Sequence, residues 1–189
     1  MPKIIYTWDD IDALTRQLSE QLRGQPIDAV MAITRGGMIP GCLISEMLDI
    51  RNVMTAAVMF YTAVEKTIDE PRFLQFPADP LLVGKRVLIV DDVWDSGKTA
   101  MAVRRRVVEA GGLPIVAVIH YKPPASRYPH PRPDFYASET DAWEVRAHRP
   151  LMISGVVLHS LPAGYRFDLR KRARVAAPAL HTIGSIASS

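Results

Sequence analysis

Residues 87–99 read Val87-Leu88-Ile89-Val90-Asp91-Asp92-Val93-Trp94-Asp95-Ser96-Gly97-Lys98-Thr99. The run opens with aliphatic, partly β-branched residues, the mark of a strand buried on both faces. Two adjacent carboxylates, Asp91 and Asp92, follow at its end, and Asp95 comes three residues later. Ser96 to Thr99 then leads into Ala100-Met101-Ala102-Val103, a helical pattern. Where a strand turns through glycine into a helix N-terminus, the free N–H groups and the helix dipole can hold a phosphate. Carboxylates beside it can hold sugar hydroxyls, a metal or a proton. Gly97-Lys98-Thr99 matches the last letters of the Walker phosphate loop. That loop also needs a glycine five positions before its second one, and position 92 is Asp. Without a ligand the stretch would be an ordinary strand–turn–helix with solvated acids.

The rest of the chain alternates strands and helices around this stretch. Thr7 and Asp10 mark a helix start, and Ile11, Leu14, Leu18 and Leu22 follow on one helical face before Gly24 and Pro26 end it. Ile27–Ile33 reads as a buried strand, Thr34-Arg35-Gly36-Gly37 as a tight turn, and the next stretch as a helix to about Leu48, with Pro40 in its first turn. Val53–Phe60 is a strand. Tyr61–Leu82 mixes charges with Pro71, Pro77 and Pro80 and shows no clean period. It reads as a long mobile loop with room for two short strands, and loops of that length are usually functional or disordered. Val87–Val90 is the central strand, Lys98–Ala110 a helix stopped by Gly111-Gly112, Ile115–Tyr121 a strand and Asp134–Ala137 a short one. Leu151–His159 is apolar enough for a closing strand or helix. This alternation predicts an α/β fold, a parallel twisted sheet with helices on both faces. Ligands of such sheets bind at the carboxyl ends of strands, where the loops at 34–37, 91–99 and 122 onward all fall.

The 189 residues fit one domain, expected over 1–164, with a basic and then Ala/Ser-rich tail over 165–189 that reads as poorly ordered. Hydrophobic residues make up 48% and charged residues 23%, enough apolar surface for a sizeable core. No apolar run approaches a membrane span. The start, Met1-Pro2-Lys3-Ile4-Ile5-Tyr6, lacks a signal peptide's long apolar region, so a cytoplasmic location is expected. The single cysteine, Cys42, excludes an internal disulfide framework and reads as a buried packing thiol. A net charge of +3 suits phosphate substrates and weak nucleic-acid binding alike. The five histidines, at 120, 130, 148, 159 and 181, show no metal-ligand spacing and receive no role.

Four aliphatics, two acids, two further residues and then Asp-Ser-Gly-x-Thr resemble the phosphoribosyl-diphosphate (PRPP) signature of the type I phosphoribosyltransferases. The resemblance covers roughly residues 27–145. It implies that Asp95, Ser96, Gly97, Lys98 and Thr99 cradle the 5′-phosphate, with Lys98 at a variable position. Asp91 and Asp92 would hold the ribose hydroxyls and Mg²⁺, the metal arriving mainly on PRPP rather than in an all-protein cage. Neighbouring strand residues point to opposite faces, so one acid of the pair can instead anchor the loop. Asp95 would assist loss of the base proton. Thr34-Arg35-Gly36-Gly37 resembles the family's diphosphate loop, which implies that Arg35, Gly36 and Gly37 meet the diphosphate and that a cis peptide involves Arg35 or a neighbour. The loop after Phe60 takes the place of a flexible hood, with Tyr61 and Thr62 near its start, and a small C-terminal hood region is also expected. Lys122 matches the lysine near the exocyclic oxygen of a purine, and Trp143 in Asp141-Ala142-Trp143 could stack on the base or serve as a core aromatic.

The pattern is most similar to the xanthine-guanine/hypoxanthine branch, although Glu144-Val145-Arg146 departs from it. The implied function is Mg²⁺-dependent transfer of phosphoribose from PRPP to a purine base, giving a nucleoside monophosphate and diphosphate, in a homodimer or homotetramer. A regulator on the same fold that senses PRPP and binds nucleic acid is the alternative, and the basic residues Arg170–Arg174 would suit it. A PRPP-using enzyme with a non-purine acceptor is a third reading, prompted by Glu144 and Arg146. Arg35, Asp95 and Lys122 occurring together favour the purine enzyme, so nucleic acid is not the expected partner.

Overall fold

Ala29–Ile33 and Val87–Val90 are at most 2% exposed, so the two strands that carry them lie in the middle of the protein. The computed structural model describes residues 3–62, 67–128, 130–141 and 143–145. In chain order the elements are β1 (Lys3–Ile5), α1 (Trp8–Leu22), β2 (Ala29–Ile33), α2 (Met38–Met47), β3 (Val53–Thr62), β4 (Thr67–Gln75), β5 (Arg86–Trp94), α3 (Lys98–Glu109), β6 (Leu113–Tyr121), β7 (Phe135–Glu139) and β8 (Trp143–Val145). Six strands form one sheet in the order β4-β3-β2-β5-β6-β7, and β1 pairs with β8 in a second, two-stranded sheet. All pairs in the large sheet are parallel except β3 with β4.

Residues alternate across the sheet, and each face meets its own helices. Met31, Ile33, Ile89 and Val118 pack with Ala100, Val103 and Val107 of α3. Val30, Leu88, Val90 and Ile119 pack with Leu18 and Leu22 of α1 and Ile44 of α2. Both faces of β2 and β5 are thereby covered, which is why these strands read as unbroken apolar runs. α1 begins at the expected cap: the Asp10 N–H donates to Thr7 Oγ1 at 3.2 Å, and the Thr7 N–H donates to Asp10 Oδ2 at 2.7 Å. α3 ends before Gly111, whose φ of 81° supplies the left-handed turn. No helix of the described residues is long and apolar enough to cross a membrane.

Three expectations are corrected. The segment expected to be a long loop after Phe60 is largely a hairpin: β4 pairs antiparallel with β3, Met59 opposite Arg72 and Phe60 opposite Pro71. Its charges and Pro71 hid the strand, because a proline is tolerated on an edge strand that needs no second ladder. β5 runs on through Trp94, so Asp91 and Asp92 lie inside the strand rather than after it. Cys42 is exposed: α2 turns Pro40, Gly41 and Ile44 inward, and Cys42 falls on its outer side. The expected tail over 165–189 and the element at Leu151–His159 lie outside the described residues.

His120 on β6, given no role from the sequence, is 4% exposed. Its Nδ1 lies 2.6 Å from Ser138 Oγ on β7, and its ring packs on Tyr6 with centroids 4.5 Å apart. Burial dominates its ionisation; the Asp92 charge opposes that effect and Lys122 adds to it, and the pKa falls from 6.5 to about 4. The folded protein therefore holds this imidazole neutral where the unfolded chain begins to bind a proton. The stability it contributes is whole above pH 6.5 and is lost as pH falls towards 4. Urea midpoints across that range should report a loss on the order of 3 kcal/mol. The slope should flatten in His120→Gln.

Candidate active site

The carboxyl ends of β2 and β5 enclose a cavity of about 430 Å³. Thr34, Arg35 and Gly36 line one side, Asp91 to Thr99 the other, and Ile33, Val58 and Ala100 complete it. Two segments more than fifty residues apart in sequence thus wall one cavity, because their strands pair directly with Ala32 opposite Val90. The Thr34–Arg35 peptide is cis, as the resemblance implied.

Two glycines let the turn close over the strand end. At Gly36 an added Cβ would overlap the Asp92 carboxylate; at Gly37 it would overlap the Val90 carbonyl and lie 2.9 Å from the Ile33 carbonyl oxygen. The acid pair divides as strand alternation requires. Asp91 is nearly buried, and its Oδ1 accepts the Asp92 N–H at 2.9 Å. Asp92 is half-buried and faces Gly36. Asp91 thus steadies the strand end while Asp92 presents its charge beside the Arg35 turn.

Beyond the acids the chain turns at Gly97, whose φ is 77°, directly into α3. The Lys98 N–H reaches Ser96 Oγ at 3.5 Å, and N–H groups at the start of α3 face the cavity end of the helix dipole. The Lys98 ammonium lies over the Phe60 ring, 5.8 Å from its centroid, rather than serving only as a solvated charge. Asp95 is exposed at the rim. The arrangement offers anion-binding amides, two carboxylates and an exposed third acid around one polar hollow.

Lys122 is not among the described residues that line this cavity. Lys122 follows β6, and its N–H donates to the Trp94 carbonyl at 3.0 Å, which sets it beside the acidic stretch. Trp143 sits in β8 opposite Lys3 of β1; its side chain is outside the described part of the structure. Gly37 lies below the rim, buried against β5. Sequence reasoning missed Ile33, Val58, Val93, Trp94 and Ala100 in the lining. An aromatic two residues after the acid pair was the available signal for Trp94.

The phosphoribosyl transferase domain family matches residues 4–150. The chain belongs to this family. The chain is 37% identical over 145 residues to a xanthine-guanine phosphoribosyltransferase of Cereibacter sphaeroides, covering 72% of this chain and 81% of that one. Over 113 residues it is 42% identical to the enzyme of the same name from Roseobacter denitrificans, covering 55% and 64%. The chain thus spans just under two thirds of that second relative. Its structure is similar to that of a purine phosphoribosyltransferase from Pyrococcus horikoshii, with a TM-score of 0.70, 30% identity, and coverage of 81% and 99%.

The two glycines of the turn after β2 separate site from fold. Gly36→Ala first meets the movable end of Asp92, so melting should shift by no more than about 4 °C while calorimetric binding of ribose 5-phosphate weakens. Gly37→Ala meets backbone and should lower the melting temperature by more than that.

Proposed function

We propose that this phosphoribosyltransferase transfers phosphoribose from PRPP to a purine base of the xanthine, guanine or hypoxanthine type, releasing diphosphate. The observation that carries the reading is the single cavity walled by Thr34–Gly36 and Asp91–Thr99. It joins a basic turn, an acid pair and a phosphate-binding turn within the reach of one sugar phosphate. The names of the Cereibacter and Roseobacter relatives support the purine acceptor.

In this reading the amides of Ser96 to Thr99 hold the 5′-phosphate, and Asp92, with Asp91 behind it, holds the ribose hydroxyls. Arg35 and the Gly36 amide take the diphosphate and stabilise its departure, whereas the Gly37 N–H is already donated to the Ile33 carbonyl at 2.8 Å. The hard oxygen donors of Asp91 and Asp92 suit Mg²⁺, which when bound neutralises charge on the diphosphate. Asp95 accepts the base proton as the base nitrogen attacks the anomeric carbon. Lys122 donates to the exocyclic oxygen of the base, and Trp143 stacks on its ring. The nucleic-acid regulator rests on residues outside the described part of the chain, and the enzyme names of the relatives do not favour it.

Diphosphate release from PRPP and Mg²⁺ should be measured with guanine, xanthine and hypoxanthine in turn. Turnover with at least one is expected, and excess EDTA should abolish it; no release with any purine refutes the proposal. Asp95→Ala should lower kcat by about 10²- to 10⁴-fold while the KM for PRPP changes little. Equal losses in both would remove Asp95 from proton transfer.

A further inference from the structure

Trp94 lies within the acidic stretch, yet its side chain is 1% exposed. Its indole Nε1–H donates to Ser126 Oγ at 3.0 Å. Ser126 Oγ donates in turn to the Tyr128 carbonyl at 2.9 Å and accepts the Tyr128 N–H at 3.2 Å. A hydroxyl has one proton. With that proton on a carbonyl, Ser126 presents only lone pairs to the indole, and the pair fits in one sense.

Two main-chain bonds run beside this one. The Lys122 N–H donates to the Trp94 carbonyl at 3.0 Å, and the Arg127 N–H donates to the Ser96 carbonyl at 3.1 Å. The indole also supports the phosphate turn from below: a Cβ at Gly97 would come within 2.5 Å of the ring. Edge-on packing with Tyr121, centroids 6.5 Å apart, holds the ring from β6. Segment 122–128 and residues 94–97 therefore share one buried side chain and three hydrogen bonds.

We propose that Trp94 and Ser126 are positioning residues that couple the phosphate turn to the neighbouring segment carrying Lys122, so that a ligand held by one tightens the other. The inference rests on the purine phosphoribosyltransferase reading, which puts phosphate on the turn and base beside the Lys122 segment. Trp94 acts through Gly97 and Ser96, and Ser126 through Trp94. Ordering the phosphate turn fixes Ser96 and the indole, these fix Ser126 and Arg127, and Lys122 is fixed with them. Coupling of this kind is reciprocal, so the base must in turn strengthen the hold on the phosphate.

The test uses the full chain with Ser126→Ala, Trp94→Phe and the double variant. Ser126→Ala removes the acceptor and leaves the indole under Gly97; Trp94→Phe removes the donor and keeps a ring. Initial rates with PRPP and guanine, xanthine or hypoxanthine should show both KM values raised by about fivefold or more in each single variant. kcat should change far less, which a general loss of structure would not spare. The double variant should be no worse than the worse single one, since no bond is left to break. Indole emission, titrated with ribose 5-phosphate without base, should respond in the parent and not in Trp94→Phe.

Unchanged KM values in Ser126→Ala, or losses that add in the double variant, overturn the coupling and leave the enzyme reading standing. A parent protein that releases no diphosphate removes the enzyme reading, and the emission titration then decides. A Kd for ribose 5-phosphate raised about fivefold in Ser126→Ala upholds the link. An unchanged Kd, or no binding by the parent, overturns it.

Discussion

The working end of this protein depends on a close approach of two main chains. β2 and β5 are neighbouring parallel strands, and the turn that leaves β2 must pass over the end of β5 to enter α2. At Gly37 it passes against the Val90 carbonyl, with no room for a side chain between. One residue earlier, Gly36 passes against the Asp92 carboxylate. The crossing brings a basic turn and an acidic strand end to the same hollow. Any bulk there would push Arg35 and Asp92 apart, or part the strands, and in either case the cavity would lose one wall.

Strand order then sets the sequence of chemistry across the sheet. β2, β5 and β6 are adjacent, and their carboxyl ends lead into Thr34–Gly37, Asp95–Thr99 and Lys122–Tyr128. On the proposed reading those three loops meet diphosphate, sugar phosphate and base in that order. A parallel sheet presents all its carboxyl ends on one edge, so three distant segments can address one small molecule. The end of β5, which leads into the middle loop, touches both of the others, through Asp92 on one side and Trp94 on the other. It springs from Val87–Val90, whose side chains are wholly buried between α3 on one face and α1 and α2 on the other. The centre of the site is thus attached to one of the most completely packed elements of the fold.

What could be read from the sequence follows from how local each feature is. The acid pair, Asp95, the Gly97 turn and the Thr7–Asp10 cap are each written within a few consecutive residues, and all were legible. The parallel sheet was legible because strands covered on both faces must be continuously apolar. β4 was not, since an edge strand can carry Asp69, Glu70, Pro71 and Arg72 without cost to its single ladder. Cys42 was misjudged because small neighbours in sequence say little about which side of a short helix meets the sheet. Trp94 and His120 were passed over for a different reason. Their partners Ser126 and Ser138 stand 32 and 18 residues away, and only the strand register brings them near.

That contrast bears on how the site is held. The groups that would meet substrate are coded in short motifs, whereas the groups that hold them are scattered over several elements. His120 shows the same division on the far side of the acid pair. It is buried and neutral, bonded to Ser138 on β7 and packed on Tyr6, which follows β1. β1 pairs with β8, the strand that carries Trp143. A chain of contacts therefore runs from the small sheet through Tyr6 and His120 into the large one, ending on the strand next to Asp92. The neutral imidazole suits that place: a charged one would have to be desolvated there, and the Asp92 charge does not offset the burial. The support around the acids is accordingly built from neutral hydrogen-bonding rings, Trp94 on one side and His120 on the other, leaving the carboxylates' charge for the cavity.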